Sequence, residues 1–282
     1  MIPFLLAAAL SFSPVDAQLA YDEAKELVAN HTPRDAGTIR GKLAANHILD
    51  VASAIGANVR RDAFRAKTPN GAMDFTNLYA ELNGAKNDDR WVVVVSHYDT
   101  KRGVATPGAN DGASTSALLI ALARAYINWK DSKGNLLLVW TDGEECINSY
   151  GENDGFWGSR RAVEYLQRKD RKVMAVICID MLGDRDLDIM IPSNVTPELA
   201  SIAMHAARRA GCQDVIRRSE FTVKDDHMAF LEKGYNSIVL IDFNYGPNNA
   251  YWHTAEDTID KISEASLLKS GKILAELLNI LL

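Results

Sequence analysis

The sequence predicts an α/β fold: a single-domain α/β/α sandwich around a central mixed, mostly parallel sheet. Three observations carry this expectation. Apolar runs of strand length alternate with longer stretches of helical periodicity. Most of those runs are continuous rather than in-out alternating, as strands covered on both faces should be. No Pro-, Gly- or Ser-rich linker divides the 282 residues.

In chain order, Tyr21 to Asn30 and Ala36 to Ile55 space their apolar residues as amphipathic helices. Thr76 to Leu82 (TNLYAEL) alternates like a half-buried strand. Trp91 to Ser96 (WVVVVS), Leu136 to Thr141 (LLLVWT), Val173 to Met181 (VMAVICIDM) and Ser237 to Asp242 (SIVLID) read as central strands. Helical stretches fill the intervals at Ala113 to Trp129, Ser159 to Arg168, Pro197 to Ala210, Asp226 to Lys233 and Ser263 to Leu282. Strand and helix in alternation put helices on both faces of the sheet.

The opening MIPFLLAAALSFSPVDAQ has a short apolar run followed by small residues, like the apolar core and cleavage site of an export signal, although no Lys or Arg precedes the run. The alternative is a buried N-terminal strand or helix. We expect residues 1–17 to be an export signal and 18–282 the mature domain, placed in the periplasm or outside the cell. The run is too short to span a bilayer, and no other apolar stretch is long enough.

With 31 Lys and Arg against 37 Asp and Glu, the net charge of -6 leaves no basic face for a nucleic-acid partner. Three cysteines, Cys146, Cys178 and Cys212, are too few for a disulfide scaffold.

Open parallel sheets bind ligands just past the carboxyl ends of their strands. The residues expected there are acids and histidines: SHYDTK, DGEE, CIDMLGD and DFNYGPNNAYWHT. In TDGEEC two glutamates follow a glycine at the end of an apolar run. Neighbouring side chains of an extended segment point to opposite faces, so Glu144 and Glu145 can share one site only if the backbone turns there. His97, Asp111, Glu145, Asp180 and His253 are eligible zinc ligands, since open zinc sites take imidazole nitrogen and carboxylate oxygen. Singly each has a plainer explanation, such as Asp111 capping a helix. Their joint position at strand ends favours a metal site.

The ordered set HYD, GANDGAS, DGEE, GSR, IDMLGD and WHTAEDT resembles the zinc-dependent exopeptidase superfamily, which contains the di-zinc aminopeptidases of peptidase family 28 and the animal-type glutaminyl cyclases. The resemblance runs from about Gly37 to Leu282. It implies that Asp111, Glu145 and His253 hold a zinc ion with Glu144 as general acid/base. It also implies that His97 and Asp180 would serve a second metal if one is present, and that Asp99 orients the His97 imidazole.

Loops distinguish the two branches. EECINSYGENDGFWGSR, HYDTK with Lys101, VKDDHMAFL and Trp252 directly before His253 are closest to the glutaminyl-peptide cyclotransferases. Tyr150 stands where the cyclases usually carry Trp, and the loop from Lys101 to Pro107 is shorter than theirs. The resemblance then implies one zinc and conversion of N-terminal glutamine to pyroglutamate. Glu144 would move a proton from the attacking amine to departing ammonia. Asp226, with Asp180 close by, would steady the leaving group, and Trp252, Tyr150 and Lys101 would bind substrate. The alternative is an aminopeptidase with two zincs acting on peptide N-termini; a more remote one is a catalytically silent binding domain on the same fold. His31, His47 and His205 lie away from the motifs and read as structural, and Cys146 as a packing residue.

Overall fold

The computed structural model of the protein describes residues 14–85 and 88–282. Eight strands form one sheet in the order β1-β2-β4-β3-β5-β8-β6-β7. The strands are β1 (Val59–Thr68), β2 (Gly71–Leu82), β3 (Arg90–His97), β4 (Asn135–Thr141), β5 (Lys172–Asp180), β6 (Ile189–Ile191), β7 (Ile216–Arg218) and β8 (Ser237–Ile241). β4, β3, β5 and β8 run parallel, while β1 and β2 join as an antiparallel hairpin whose β2 lies antiparallel to β4. Beyond β8 the sheet ends in antiparallel β6 and its parallel neighbour β7. The mixed, mostly parallel sheet expected from the sequence is therefore present.

Among the described residues seven α-helices cover it: α1 (Ala17–Asn30), α2 (Ile39–Ala54), α3 (Thr115–Ile127), α4 (Trp157–Lys169), α5 (Pro197–Arg209), α6 (His227–Leu231) and α7 (Glu264–Leu281). α3 packs with α1, α2 and α7, and α5 joins α7; α4 and α6 pack together against β2, β4, β5 and β8. The valines of β3 and the leucines of β4 are wholly buried between these layers. That is why they read as continuous apolar runs.

Three strands go beyond the sequence expectation. Half of β1 (VRRDAFRAKT) is charged, with an exposed or half-exposed pattern along nearly its whole length. β6 and β7 span three residues each, too few to show a period. The apolar run of the expected export signal, residues 1–13, lies outside the described residues. At the expected boundary, Asp16 caps α1 by accepting from Leu19 N at 2.9 Å, and the Val15 side chain is buried beside Gly271. Among the described residues no helix is long and apolar enough to cross a membrane. All three cysteines are buried and free.

Candidate metal centre

His97 and Thr141 are register partners at the ends of β3 and β4, and Asp180 closes β5. The parallel strands thus deliver their last side chains to one rim of the sheet. At the end of β4 the backbone turns at Gly143, whose φ is +78°. A Cβ there would fall 2.6 Å from the Phe75 ring, so the turn that lets both glutamates face one site requires glycine. The Asp99 carboxylate locks this turn by accepting Glu144 N at 3.1 Å and Glu145 N at 3.3 Å.

The remaining ligand candidates come from loops. Asp111 lies in a distorted turn, Ala109–Ser114, whose Gly112 has φ of +90° and leaves no room for a Cβ beside Asp99 O. Asp257, in the WHTAEDT motif, accepts Asn110 N at 2.7 Å and Asp111 N at 3.2 Å, holding that turn in place. Beneath it Arg34, wholly buried, donates to Tyr98 O at 2.9 Å, Pro107 O at 3.0 Å and Gly108 O at 2.7 Å. One guanidinium therefore ties the chain just after His97 to the turn that carries Asp111. His253 sits at φ of +55°, a conformation costly for a residue with a Cβ and found where surrounding structure imposes it.

Two groups of potential ligands share Asp111: Asp111, Glu145 and His253, and His97, Asp111 and Asp180, each with ligating atoms within 4.8 Å of one another. Asp111 Oδ2 and Glu145 Oε1 lie 3.3 Å and 2.7 Å from His253 Nε2. Asp111 Oδ1 and Asp180 Oδ1 lie 3.2 Å and 3.1 Å from His97 Nε2. The His97 ring is held from behind by the backbone carbonyl of Asp99, 3.1 Å from Nδ1, while the Asp99 carboxylate stands 3.7 Å away.

Glu144, Glu145, Asp111 and Asp180 are all buried, and among the described residues the one Lys or Arg ion-paired with them is Lys101, 3.5 Å from Glu145 Oε2. Burial raises the proton affinity of Glu144 well above the usual carboxylate range, reinforced by the charges of Glu145, Asp225 and Asp226. Burial also raises Glu145 and Asp180. Asp111 goes the other way: burial opposes its ionisation, but hydrogen bonds from His253 and His97 hold it below its ordinary range. So many buried anions with so little positive charge fit a bound cation, and carboxylate oxygen with imidazole nitrogen is a donor set suited to zinc.

The site opens into a cavity of about 630 Å³. Trp252 and Tyr150 both line it, Trp252 stacked on the His253 ring with centroids 3.9 Å apart and Tyr150 stacked on Phe156 at 4.8 Å. The loop bearing Tyr150 is shaped by the Asp154 carboxylate, which accepts Ile147 N, Asn148 N and Ser149 N at 2.6, 2.7 and 3.0 Å.

Two residues expected to act on the substrate or its leaving group are placed away from the cavity wall. Lys101 lies behind Glu145, donating to Cys146 O at 2.7 Å. Asp226 is turned toward Thr141, whose hydroxyl donates to it at 2.7 Å, and its neighbour Asp225 lines the cavity instead. Adjacent acids in VKDDH gave no sequence signal to say which one faces inward. Asp257 and Arg34 were also passed over: Asp257 was within a motif already noted, whereas an Arg before a predicted helix carries no mark of burial.

A sheet of this order, with ligating side chains gathered past the ends of its parallel strands, has the fold of the zinc-dependent exopeptidases. Comparison with known proteins narrows the class. The sequence pattern of peptidase family M28 matches residues 77–278, and the chain belongs to that family. A glutaminyl cyclase from an Acidobacteriales bacterium is 31% identical, superposes with a TM-score of 0.90, and the match covers 100% of this chain and 98% of that one. The glutaminyl-peptide cyclotransferase of Drosophila melanogaster is 27% identical over 287 residues, covering 91% of this chain and 79% of its own length. A leucine aminopeptidase precursor from Bacteroides thetaiotaomicron, 21% identical with a TM-score of 0.84 over 96% of this chain and 99% of that one, shares the fold.

Proposed function

We propose that the protein is a zinc-dependent glutaminyl-peptide cyclotransferase that converts the N-terminal glutamine of peptides to pyroglutamate and releases ammonia. One arrangement supports this above all. The long loop after the paired glutamates brings Tyr150 onto Glu144 and Glu145 while Trp252 lies flat on His253, giving an aromatic-lined cavity that also holds Asp180 and Asp225. The relatives named as glutaminyl cyclases and cyclotransferases, which span most of the chain, point the same way.

Asp111, Glu145 and His253 would hold the zinc, which when bound supplies Lewis acidity at the substrate's γ-carbonyl. Glu144 accepts a proton from the peptide's α-amine as that nitrogen bonds to the carbonyl carbon of the side-chain amide, then gives it to the amide nitrogen as the bond from that carbon to nitrogen breaks and ammonia departs. Its burial gives it the raised proton affinity that such a shuttle needs. Asp225, together with Asp180, receives hydrogen bonds from the leaving nitrogen; this role passes from Asp226 to the acid that lines the cavity. Trp252 and Tyr150 pack against the glutamine methylenes, and the confined amine and carbonyl lose little further freedom in closing the ring. Lys101 acts from behind, through Glu145, rather than on the substrate.

The second reading, an aminopeptidase with two zincs, draws on the two ligand groups joined by Asp111. Metal counting and a pair of substrates separate the readings. One zinc held among the residues that share Asp111, with ammonia release from a Gln-initiated peptide, is expected; two zincs held there with nitroaniline release from an amino-acid p-nitroanilide would replace the cyclase reading by the aminopeptidase.

Export, with residues 1–17 as the leader, belongs to the same reading and rests on the apolar opening of the chain. N-terminal sequencing of protein recovered from outside the cytoplasm tests it. A mature chain that keeps Asp16, the cap of α1, would move the boundary upstream.

A further inference from the structure

A second cluster of ligating side chains lies between α1 and α2, away from the sheet rim. Glu26 on α1, His31 at its C-terminal end and His47 on α2 each offer a ligating atom, all within 4.8 Å of one another. The two imidazoles stack with centroids 4.9 Å apart and planes at 29°. His47 Nε2 is 2.8 Å from Glu23 Oε2, and Glu23 precedes Glu26 by three residues, so both carboxylates share one face of α1. His31 Nδ1 is buried and has no hydrogen-bond partner, a situation that costs about 1–3 kcal/mol unless something occupies the position.

We propose that Glu26, His31 and His47 form a second, non-catalytic site for a divalent transition metal, with Glu23 as a further carboxylate and zinc as the matching ion, clamping the end of α1 to α2. Two imidazoles and a carboxylate make a zinc donor set. Around tetrahedral zinc the ligand atoms stand about 3.3 Å apart, so side-chain rotation has to draw this cluster together by at most about 1.5 Å. Each of the three residues is half-buried, which leaves an ion a path from solvent.

The site has a structural consequence for the rim of the sheet. Three residues after His31 comes Arg34, whose guanidinium binds the loops carrying His97 and Asp111. Fixing the end of α1 would fix the segment that leads to it.

The test compares zinc bound per chain in the full-length protein and in H31Q/H47Q, after saturation with zinc chloride and removal of loosely held ion. Glutamine keeps hydrogen-bonding capacity toward Glu23, and neither histidine lines the cavity. The wild type should hold one more equivalent than the variant, and zinc should raise its unfolding temperature further. Equal zinc content in the two proteins would overturn the proposal. If H31Q/H47Q fails to fold, E26Q allows the same comparison with the same two outcomes.

Discussion

The phenol oxygen of Tyr150 lies 3.2 Å from Glu144 Oε2, and the same oxygen is 3.0 Å from Glu145 Oε2. Burial holds the protons of Tyr150 and Glu144 well above their ordinary ranges. A hydroxyl has a single proton to donate, so it cannot serve both carboxylates when both are ionised. The single phenol proton is therefore shared between the two glutamates and donated to one at a time.

Glu144→Gln should therefore lower kcat by about 10²- to 10⁴-fold, the usual contribution of a placed general acid/base, because an amide cannot relay a proton. Zinc content should be unchanged, since Glu144 is outside the proposed ligand set. Steady-state kinetics with elemental analysis of the same sample checks both; a variant that turns over at near the wild-type rate would remove Glu144 from the mechanism.

Asp225 and Asp226 should separate cleanly. Asp225→Asn should cost about 10²-fold or more in kcat, as loss of a carboxylate near the reacting groups does. Asp226→Asn should act mainly on stability, because that carboxylate is spent on the Thr141 hydroxyl. Kinetics and unfolding midpoints of the two variants decide it, and the reverse pattern would restore the role to Asp226.

Arg34→Lys should be far from conservative. An ammonium cannot reproduce the fork that reaches Tyr98 O, Pro107 O and Gly108 O together. Pro107 O keeps the Thr32 hydroxyl and Gly108 O keeps Ala113 N, but a buried carbonyl left without a donor, as Tyr98 O would be, costs about 1–3 kcal/mol, so a lowered denaturant midpoint and weaker zinc retention are expected. Wild-type values for both would show that Arg34 does not hold the ligand loops.

His227 should make the fold acid-sensitive. Burial lowers its pKa from 6.5 to about 4, and Nδ1 has no partner while Nε2 donates to Asn194 O at 3.1 Å. Between those pH values the unfolded chain takes up a proton that the folded chain refuses, so stability falls as pH drops through the window, by up to about 3 kcal/mol. His227→Gln should flatten this part of the profile in denaturant titrations at several pH values. An unchanged slope would mean that His227 does not titrate on unfolding.

The central strands were readable because burial on both faces writes an uninterrupted apolar run, as in β3 and β4. The gathering of His97, Glu145 and Asp180 was readable because strand ends in such a sheet share one rim, whereas Asp111 and His253 lie in longer loops and were readable only through the motifs around them. Placement within the rim was harder to read. The choice between Asp225 and Asp226 depends on one turn of backbone before α6, and the role of Arg34 depends on three carbonyls far along the chain. Neither leaves a local pattern in the residues themselves.

The outermost strand β1 carries Arg60, Arg61, Asp62, Arg65 and Lys67, and the opposite margin, β7, is only three residues long. An unpaired strand is a template on which another molecule's backbone can assemble, and charge or brevity makes that template poor. The sequence that obscured β1 as a strand is thus the feature that discourages runaway polymerisation, keeping the enzyme's large sheet from growing beyond its own chain.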